Sequence, residues 1–181
     1  MAQTEYAAII EPPFGQGPNL MPGMSQVLYF CPIADIATFG APPSAPPANK
    51  KYTISTPHIC KTGKKFSKMY VGIEKGQLAF ESLGNRDASG YNVTGSAYIP
   101  GDSDDLNYFA NEAQGDRFIV IMKRADGKLI QIGTEDYPAT IRAAHDSETV
   151  TGDSSGYSVN IQAYMPFKLI YDAAVPLVAA E

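Results

Sequence analysis

Read by its alternation of apolar and polar positions, the chain is a succession of strands interrupted by a single helix-period segment. VLYFCPIADIATF, residues 27–39, opens with β-branched and aromatic residues, which predicts a strand over Gln26–Cys31, ended by Pro32 and followed by a turn at Ala34-Asp35. MYVGIE and QLAFESL alternate on either side of Lys75-Gly76 and predict a hairpin. YNVTGSAYIP, residues 91–100, is a further strand, closed by Pro100-Gly101. The period then changes. In SDDLNYFANEAQ, residues 103–114, Leu106, Phe109, Ala110 and Ala113 fall at i, i+3, i+4 and i+7, one face of an amphipathic helix. Asp102 or Ser103 suits its N-cap, Asp104 and Asp105 suit its first turn, and Gly115 suits a left-handed C-cap.

RFIVIMK (117–123) and KLIQIGT (128–134) flank Arg124-Ala125-Asp126-Gly127, a hairpin signal. The first of these strands is apolar on both faces, with Phe118, Val120 and Met122 on one and Ile119 and Ile121 on the other. It is expected at the centre of a sheet covered on both sides, one side by the helix before it. ATIRAAHDSETV (139–150) predicts another strand. After the turn 152–156, YSVNIQAYM alternates Val159, Ile161, Ala163 and Met165 with Ser158, Asn160, Gln162 and Tyr164. FKLIYD supplies a last short strand, and AAVPLVAAE is expected to dock on the body or on a neighbour. The fold class is mainly β with one flanking α-helix at about 103–114.

Proline placement divides the chain. Ten of its 14 prolines lie between Pro12 and Pro57, so the front third contains segments that are neither regular helix nor central strand. EPPFGQGPNLMPG, residues 11–23, predicts an extended N-terminal arm (1–23), and APPSAPPAN, residues 41–49, a polyproline-type insert. The body is one domain over 24–172, with a basic segment at 50–75 and a tail at 173–181. A chain of 181 residues buries enough core to fold without disulfides. The N-terminus has no basic n-region, carries Glu5 early and lacks a long apolar stretch, unlike a signal peptide. No apolar run approaches the roughly 20 residues of a bilayer span.

Charge changes the picture in one place. The whole chain carries a net of −5, unlike the broad basic footprint of a nucleic-acid binder. Residues 50–75 hold seven lysines against Glu74, a net of +6 that leaves −11 for the rest. A basic segment on an acidic body fits the acidic face of a neighbouring identical subunit, with Lys61, Lys64, Lys65 and Lys68 as interface residues. The alternative is a sheet edge that lysines protect against strand addition.

Catalytic vocabulary is sparse. His58 and Cys60 stand two apart on an expected strand and so share a face, which would suit a thiol with its base or half a metal site. No third group to orient the base and no spaced ligands accompany them, and Cys31 and Cys60 read as small core residues of a reduced compartment. Asp102, Asp104 and Asp105 lack the sixth-position glycine and the twelfth-position glutamate of an EF-hand. Gly15-Gln16-Gly17 has no strand before it or helix after it, and the chain has no P-loop and no nucleophile elbow. No catalytic residue, metal or cofactor is assigned.

The order of pieces resembles the structural proteins of phages of Bacteroidetes hosts that build tail tubes or tail rings (collars), including those of crAss-like podoviruses. Tyr29, Phe30, Pro32, Asp35, Ile36 and Phe39 match a "YF-x-P-x-x-D-I-x-x-[WF]" segment. A basic region follows, then a strand ending in "IP" before a helix, as in YIPGDSDDLNYFANEA. Arg117, Phe118, Gly127 and Gly133 match a glycine-punctuated strand pair, and TGDSSGYSVNIQAY matches the last strand motif. The similarity spans roughly residues 24–172.

What the resemblance implies is a tail-tube-like β-sandwich or small barrel whose copies join edge to edge. The product would be a homo-oligomeric ring, six- or twelve-fold, conducting DNA as non-specific cargo past an acidic lumen. Other tail, neck or portal proteins would be its partners, no membrane would be involved, and its place would be the virion after synthesis in the host cytoplasm. The alternative is a head-fibre, capsid-decoration or receptor-contact β-sandwich. A carbohydrate- or peptide-binding module, which would show an exposed aromatic cluster in a cleft, stands third, and an enzyme last.

Overall fold

The computed structural model describes residues 23–72, 75–85, 88–147 and 155–177. The N-terminal arm ahead of Gly23, residues 148–154, which hold most of the turn expected at 152–156, and the last four residues lie outside them. Twelve strands and one helix are described: β1 Met24–Pro32, β2 Ile36–Thr38, β3 Thr53–Ile54, β4 Ile59–Cys60, β5 Ser67–Tyr70, β6 Gln77–Asn85, β7 Ala88–Pro100, α1 Asp104–Glu112, β8 Phe118–Arg124, β9 Leu129–Ile132, β10 Thr140–Asp146, β11 Gly156–Met165 and β12 Leu169–Tyr171. A six-stranded sheet runs β3-β12-β9-β8-β1-β5, and a four-stranded sheet runs β10-β11-β7-β6. A two-stranded sheet pairs β2 with β4. The chain is mainly β, with two principal sheets face to face.

The inner faces of these sheets make the main core. Leu28, Met69, Val120, Met122 and Ile132 come from the six-stranded sheet and Val93, Ile141, Val159, Ile161 and Ala163 from the four-stranded one. In β11 the expected alternation holds residue by residue, with Val159, Ile161, Ala163 and Met165 buried and Ser158, Asn160, Gln162 and Tyr164 exposed. Helix α1 turns Ala110 and Ala113 into this core and packs Leu106 and Phe109 against it. The Phe109 ring lies 4.9 Å from Phe30, which stands 5.9 Å edge-on to Phe118. Ser103 is the N-cap, its hydroxyl accepting from Leu106 N–H at 3.3 Å. The expected left-handed cap at Gly115 is corrected: the helix closes through Ala113 in right-handed geometry (φ −64°, ψ −19°), and Gly115 does not adopt a positive φ.

β8 is central and covered on both faces, as its unbroken apolar run requires. Phe118, Val120 and Met122 face the sandwich, whereas Ile119 and Ile121 face a second core with Cys31, Ile36, Ile54, Cys60, Phe66 and Tyr171. The cover on this second face is the Pro-rich front third together with the tail. Ala173 and Val175 pack there, and Phe66 N–H donates to Pro176 O at 2.9 Å. The basic segment thus contributes buried side chains to the body: its strands pair separately, β3 with β12, β4 with β2 and β5 with β1.

The hairpin expected around Lys75-Gly76 is not formed. β5 belongs to the six-stranded sheet and β6 to the four-stranded one, so the chain crosses between layers here. Val71 N–H still bonds Gln26 O of the first sheet, and Gly72 N–H bonds Tyr98 O of the second at 2.7 Å. The hairpin at 124–127 does form, with Gly127 at φ +88° supplying the left-handed residue of a three-residue loop. At another corner Phe118 and Ala139 exchange backbone hydrogen bonds between the sheets, and Gly133 (φ +89°) passes so close that a Cβ would stand 2.7 Å from Ala139 N.

Candidate assembly surface

Lys61, Lys64, Lys65 and Lys68 are brought to one edge. The first three lie in the turn between β4 and β5, where Gly63 (φ +75°) lets Lys64 N–H reach Lys61 O at 2.9 Å. Lys68 stands on β5, the outermost strand of the six-stranded sheet, opposite Tyr29 of β1. All four side chains are exposed. The turn is tied to the body by Lys61 N–H on Asp35 O at 2.9 Å and by Lys64 Nζ to Asp35 Oδ1 at 3.3 Å. With the Lys64 side chain half exposed, that ion pair contributes only ~0–1 kcal/mol. Helix α1 offers the opposite sign: Asp104, Asp105, Glu112 and nearby Asp116 are all exposed, with no basic residue in its last turn.

A second surface belongs to the four-stranded sheet. Its outward rows follow from the register: Gln77, Ser96, Asn160 and Arg142 across one line, Ala79, Thr94, Gln162 and Thr140 across the next. Among the described residues of these strands, Glu81, Arg142 and Asp146 are the charged side chains on that face. The acidic lumen implied by the resemblance therefore does not correspond to this face, which is nearly neutral and rich in hydroxyls and amides. Both outer strands, β6 and β10, have no strand beyond them among the described residues.

His58 and Cys60 both reach the second core, and there they are structural. The His58 ring lies 5.2 Å from Tyr171 and 5.6 Å from Phe66, stacked on both. Its Nδ1 accepts from Gly40 N–H at 3.0 Å, which leaves Nε2–H to donate to Gln131 Oε1 at 2.9 Å. Gln131 in turn donates to Gly133 O at 3.0 Å, and the His58 N–H donates to the Tyr171 hydroxyl, which donates to Ala174 O. Burial lowers the His58 pKa against the smaller opposing effect of Gln131. Burial also pushes the Cys31 thiol up to about 12, with Cys60 beside it adding to the rise, and raises Cys60. A neutral imidazole and protonated thiols are the opposite of an activated ion pair. Nothing in the pattern around His58 signalled Gln131 or Tyr171, which lie 73 and 113 residues away.

Asp102 accepts from the Tyr157 hydroxyl at 3.1 Å and has His145 Nε2 at 3.8 Å, so it joins the helix start to β11 and β10. Burial, then this hydrogen bond, raises the Tyr157 phenol. Among the described residues no group of three His, Cys, Asp or Glu side chains is arranged to hold a metal ion, and no helix is long and apolar enough to cross a membrane. No protein-family model, curated protein or solved structure matches the chain. The class that the fold defines is a two-layered β-sandwich with one helix.

Proposed function

We propose that the chain is a ring-forming structural subunit of a phage tail or neck, whose copies join through the four-stranded sheet into a conduit for DNA. The observation that carries this reading is the pair of open outer strands of that sheet. Because the sheet has four strands, all antiparallel, β6 and β10 run in opposite directions. Rotation about a ring axis would therefore place β6 of one copy beside β10 of the next with the antiparallel alternation unbroken. Closure would remove both edges, which otherwise invite aggregation. The face such a ring turns to its lumen would be the row of serine, threonine, asparagine and glutamine side chains, which offers phosphates few cations to hold them. The family resemblance points the same way.

Light-scattering mass of the full chain, with negative-stain images of the same fractions, tests this. Hollow rings or short tubes are expected; a monodisperse single-subunit mass at every concentration, or a compact trimer, would overturn it. The trimer would favour a head-fibre, capsid-decoration or receptor-contact role, for which the exposed rings of Tyr137 and Tyr164 speak.

The lysine edge supports the same reading as a contact between neighbours, meeting the acidic surface of α1. Replacing Lys61, Lys64, Lys65 and Lys68 together with Glu is expected to abolish rings while the circular dichroism and melting temperature stay near those of the parent. Rings of unchanged mass at physiological salt would instead leave these lysines as edge protection.

A further inference from the structure

Two edge strands can join only where their unpaired backbone groups and their faces coincide. In β7, Tyr98 O accepts from Gly72 N–H at 2.7 Å on the β6 side, and Gly101 N–H donates to Ser155 O at 3.0 Å on the β11 side. Backbone direction alternates along a strand, so even-numbered residues of β7 bond toward β6 and odd-numbered ones toward β11. The registers carry this parity across the sheet without a shift. At one rim Leu78, Phe80 and Ser82 of β6 turn their N–H and C=O away from β7. At the other rim Ile141, Ala143 and His145 of β10 turn theirs away from β11. Ala139, of the same parity, exchanges both of its bonds with Phe118. All six of these residues have inward-facing side chains, so any register that matches the backbone groups also matches the faces.

We infer, resting on the ring proposed above, that copies meet in one register, with Glu81 of β6 opposite Arg142 of the next copy's β10. Charge is the first reason. Both side chains are exposed and point outward, and they are the opposite charges those two rims bring to that face. Opposite charges directly across an antiparallel pair are favourable, and like charges are not.

Closure is the second reason. Within one copy Gln77 lies level with Ser96, Asn160 and Arg142. Placing Glu81 after Arg142 staggers successive copies by four residues over four strands, or one residue per strand. A stagger of about 3.3 Å over each spacing of about 4.8 Å tilts the strands by about 35°. Closed barrels tilt by about 35–45°. Registers two residues either way give about 19° and about 46°, and they set Arg142 against Ala79 or Leu83. The sense of the stagger agrees as well. For L-residues seen from the side-chain face of an upward strand, N–H and C=O lie to the right, which puts β7 to the right of β6. With the outer face turned inward, the stagger then follows the twist of natural sheets.

Fit along the rims is the third reason. All of Thr140–Asp146 falls opposite Leu83–Gln77, within both strands. Phe80 of one copy meets Ala143 of the next, both partly buried members of the main core at its margins. Gly84 comes opposite Ala139, where β10 gives its edge to Phe118, and its φ of +105° lets β6 turn aside there.

Ala79 and Ala144 then face each other as a pair without mutual hydrogen bonds, about 4.5 Å between Cα atoms and within disulfide reach. In one copy they stand on opposite rims of the sheet, so any bond between them joins two copies. Ala79→Cys with Ala144→Cys is compared with Gln77→Cys plus Ala144→Cys and with Ala79→Cys plus Asp146→Cys, all in the full chain with Glu81 and Arg142 in place. Ring fractions are oxidised and run on non-reducing gels; Cys31 and Cys60 are buried. The first pair is expected to give several-fold more covalent oligomer than the others, whose positions would be diagonal, about 7–8 Å apart. A maximum at either other pair would overturn the register while the joined rims stand. Rings in which none of the pairs links would overturn the contact between β6 and β10. A single-subunit mass with no link would overturn the ring itself, and the register with it. Charge is read separately: Glu81→Arg and Arg142→Glu are each expected to lower the ring fraction several-fold, and the two together to restore it. A double reversal that assembles no better than either single one would overturn the ion pair as what selects the register.

Discussion

Ile121→Asp is expected to yield no folded subunit, because it places a carboxylate at the best-covered point of the six-stranded sheet. Ile121 is fully buried in the middle of β8, between β1 and β9, and it faces the second core. Its cross-strand partners are Tyr29 and Gln131. Gln131 is the nearest polar rescue, yet its Oε1 accepts from His58 and its amide donates to Gly133 O. An Asp at 121 would therefore be buried without a partner. The cost of several kcal/mol, whether as an unpaired charge or as a carboxyl forced neutral, is comparable with the ~5–15 kcal/mol that holds a domain together. Ile121→Val should cost ~0.5–1.5 kcal/mol and Ile121→Ala ~2–5 kcal/mol, so urea unfolding of the three variants should rank Val above Ala above Asp. A soluble Ile121→Asp protein with a strand-rich circular dichroism spectrum and a cooperative melt would mean that the second core does not close over β8.

That second core marks the boundary of what the sequence makes legible. Alternation is a local property, and where one strand is buried on one face, as β11 is, the pattern tells inward from outward residues without knowledge of the partner strand. The same logic identifies β8 as buried on both faces and the 103–114 segment as a helix with Leu106, Phe109, Ala110 and Ala113 inward. Which layer a strand joins is a non-local property. β5 and β6 alternate like the arms of a hairpin, but Val71 and Gly72 hand the chain from one sheet to the other. Glycines at 72 and 76 sit at close approaches rather than in a turn: a Cβ on Gly72 would stand 3.2 Å from Tyr98 O, and one on Gly76 3.1 Å from Met24 Cβ, so either would press its neighbour aside by a few tenths of an ångström. The lysine cluster was readable because its members lie within eight residues of one another. The pairing of open edges was not, because β6 and β10 are far apart in the chain and become the two rims of one sheet only after β7 and β11 fill the space between them. Likewise the Pro-rich front third reads as arm and spacer, whereas residues 33–66 supply the lid of the second core; prolines exclude regular elements but say nothing about what an irregular segment covers.

The lid hangs on His58, and removing or charging that ring is expected to have the second large effect. His58→Ala would leave Gln131 Oε1 buried without a partner, at ~1–3 kcal/mol, would strip the half-buried Gly40 N–H of its acceptor, and would also lose the stacks on Phe66 and Tyr171. Protonation attacks the same point. The folded protein lowers the His58 pKa below the ordinary value of 6.5, so below that pH the unfolded chain binds a proton that the native state resists. The stabilisation from His58 is complete above pH 6.5 and is lost as the pH falls toward the lowered native value. The groups packed on or bonded to the ring, Phe39, Phe66, Tyr171, Gly40 N–H and Gln131, include no carboxylate to offset the imidazolium. Melting temperature should therefore decline on going from pH 7.5 to 5.5 in the parent. In His58→Phe, which fills the space without titrating, the decline should shrink, although the variant starts lower at pH 7.5 because Gln131 and Gly40 lose their partner. Equal slopes in the two proteins would show that the acid response arises elsewhere and that His58 is not the pin of the lid. Pairing His58→Phe with Gln131→Leu closes the test: two positions that share one hydrogen bond should cost less together than the sum of their separate effects, and strict additivity would mean that the bond contributes nothing to holding residues 33–66 on the sheet.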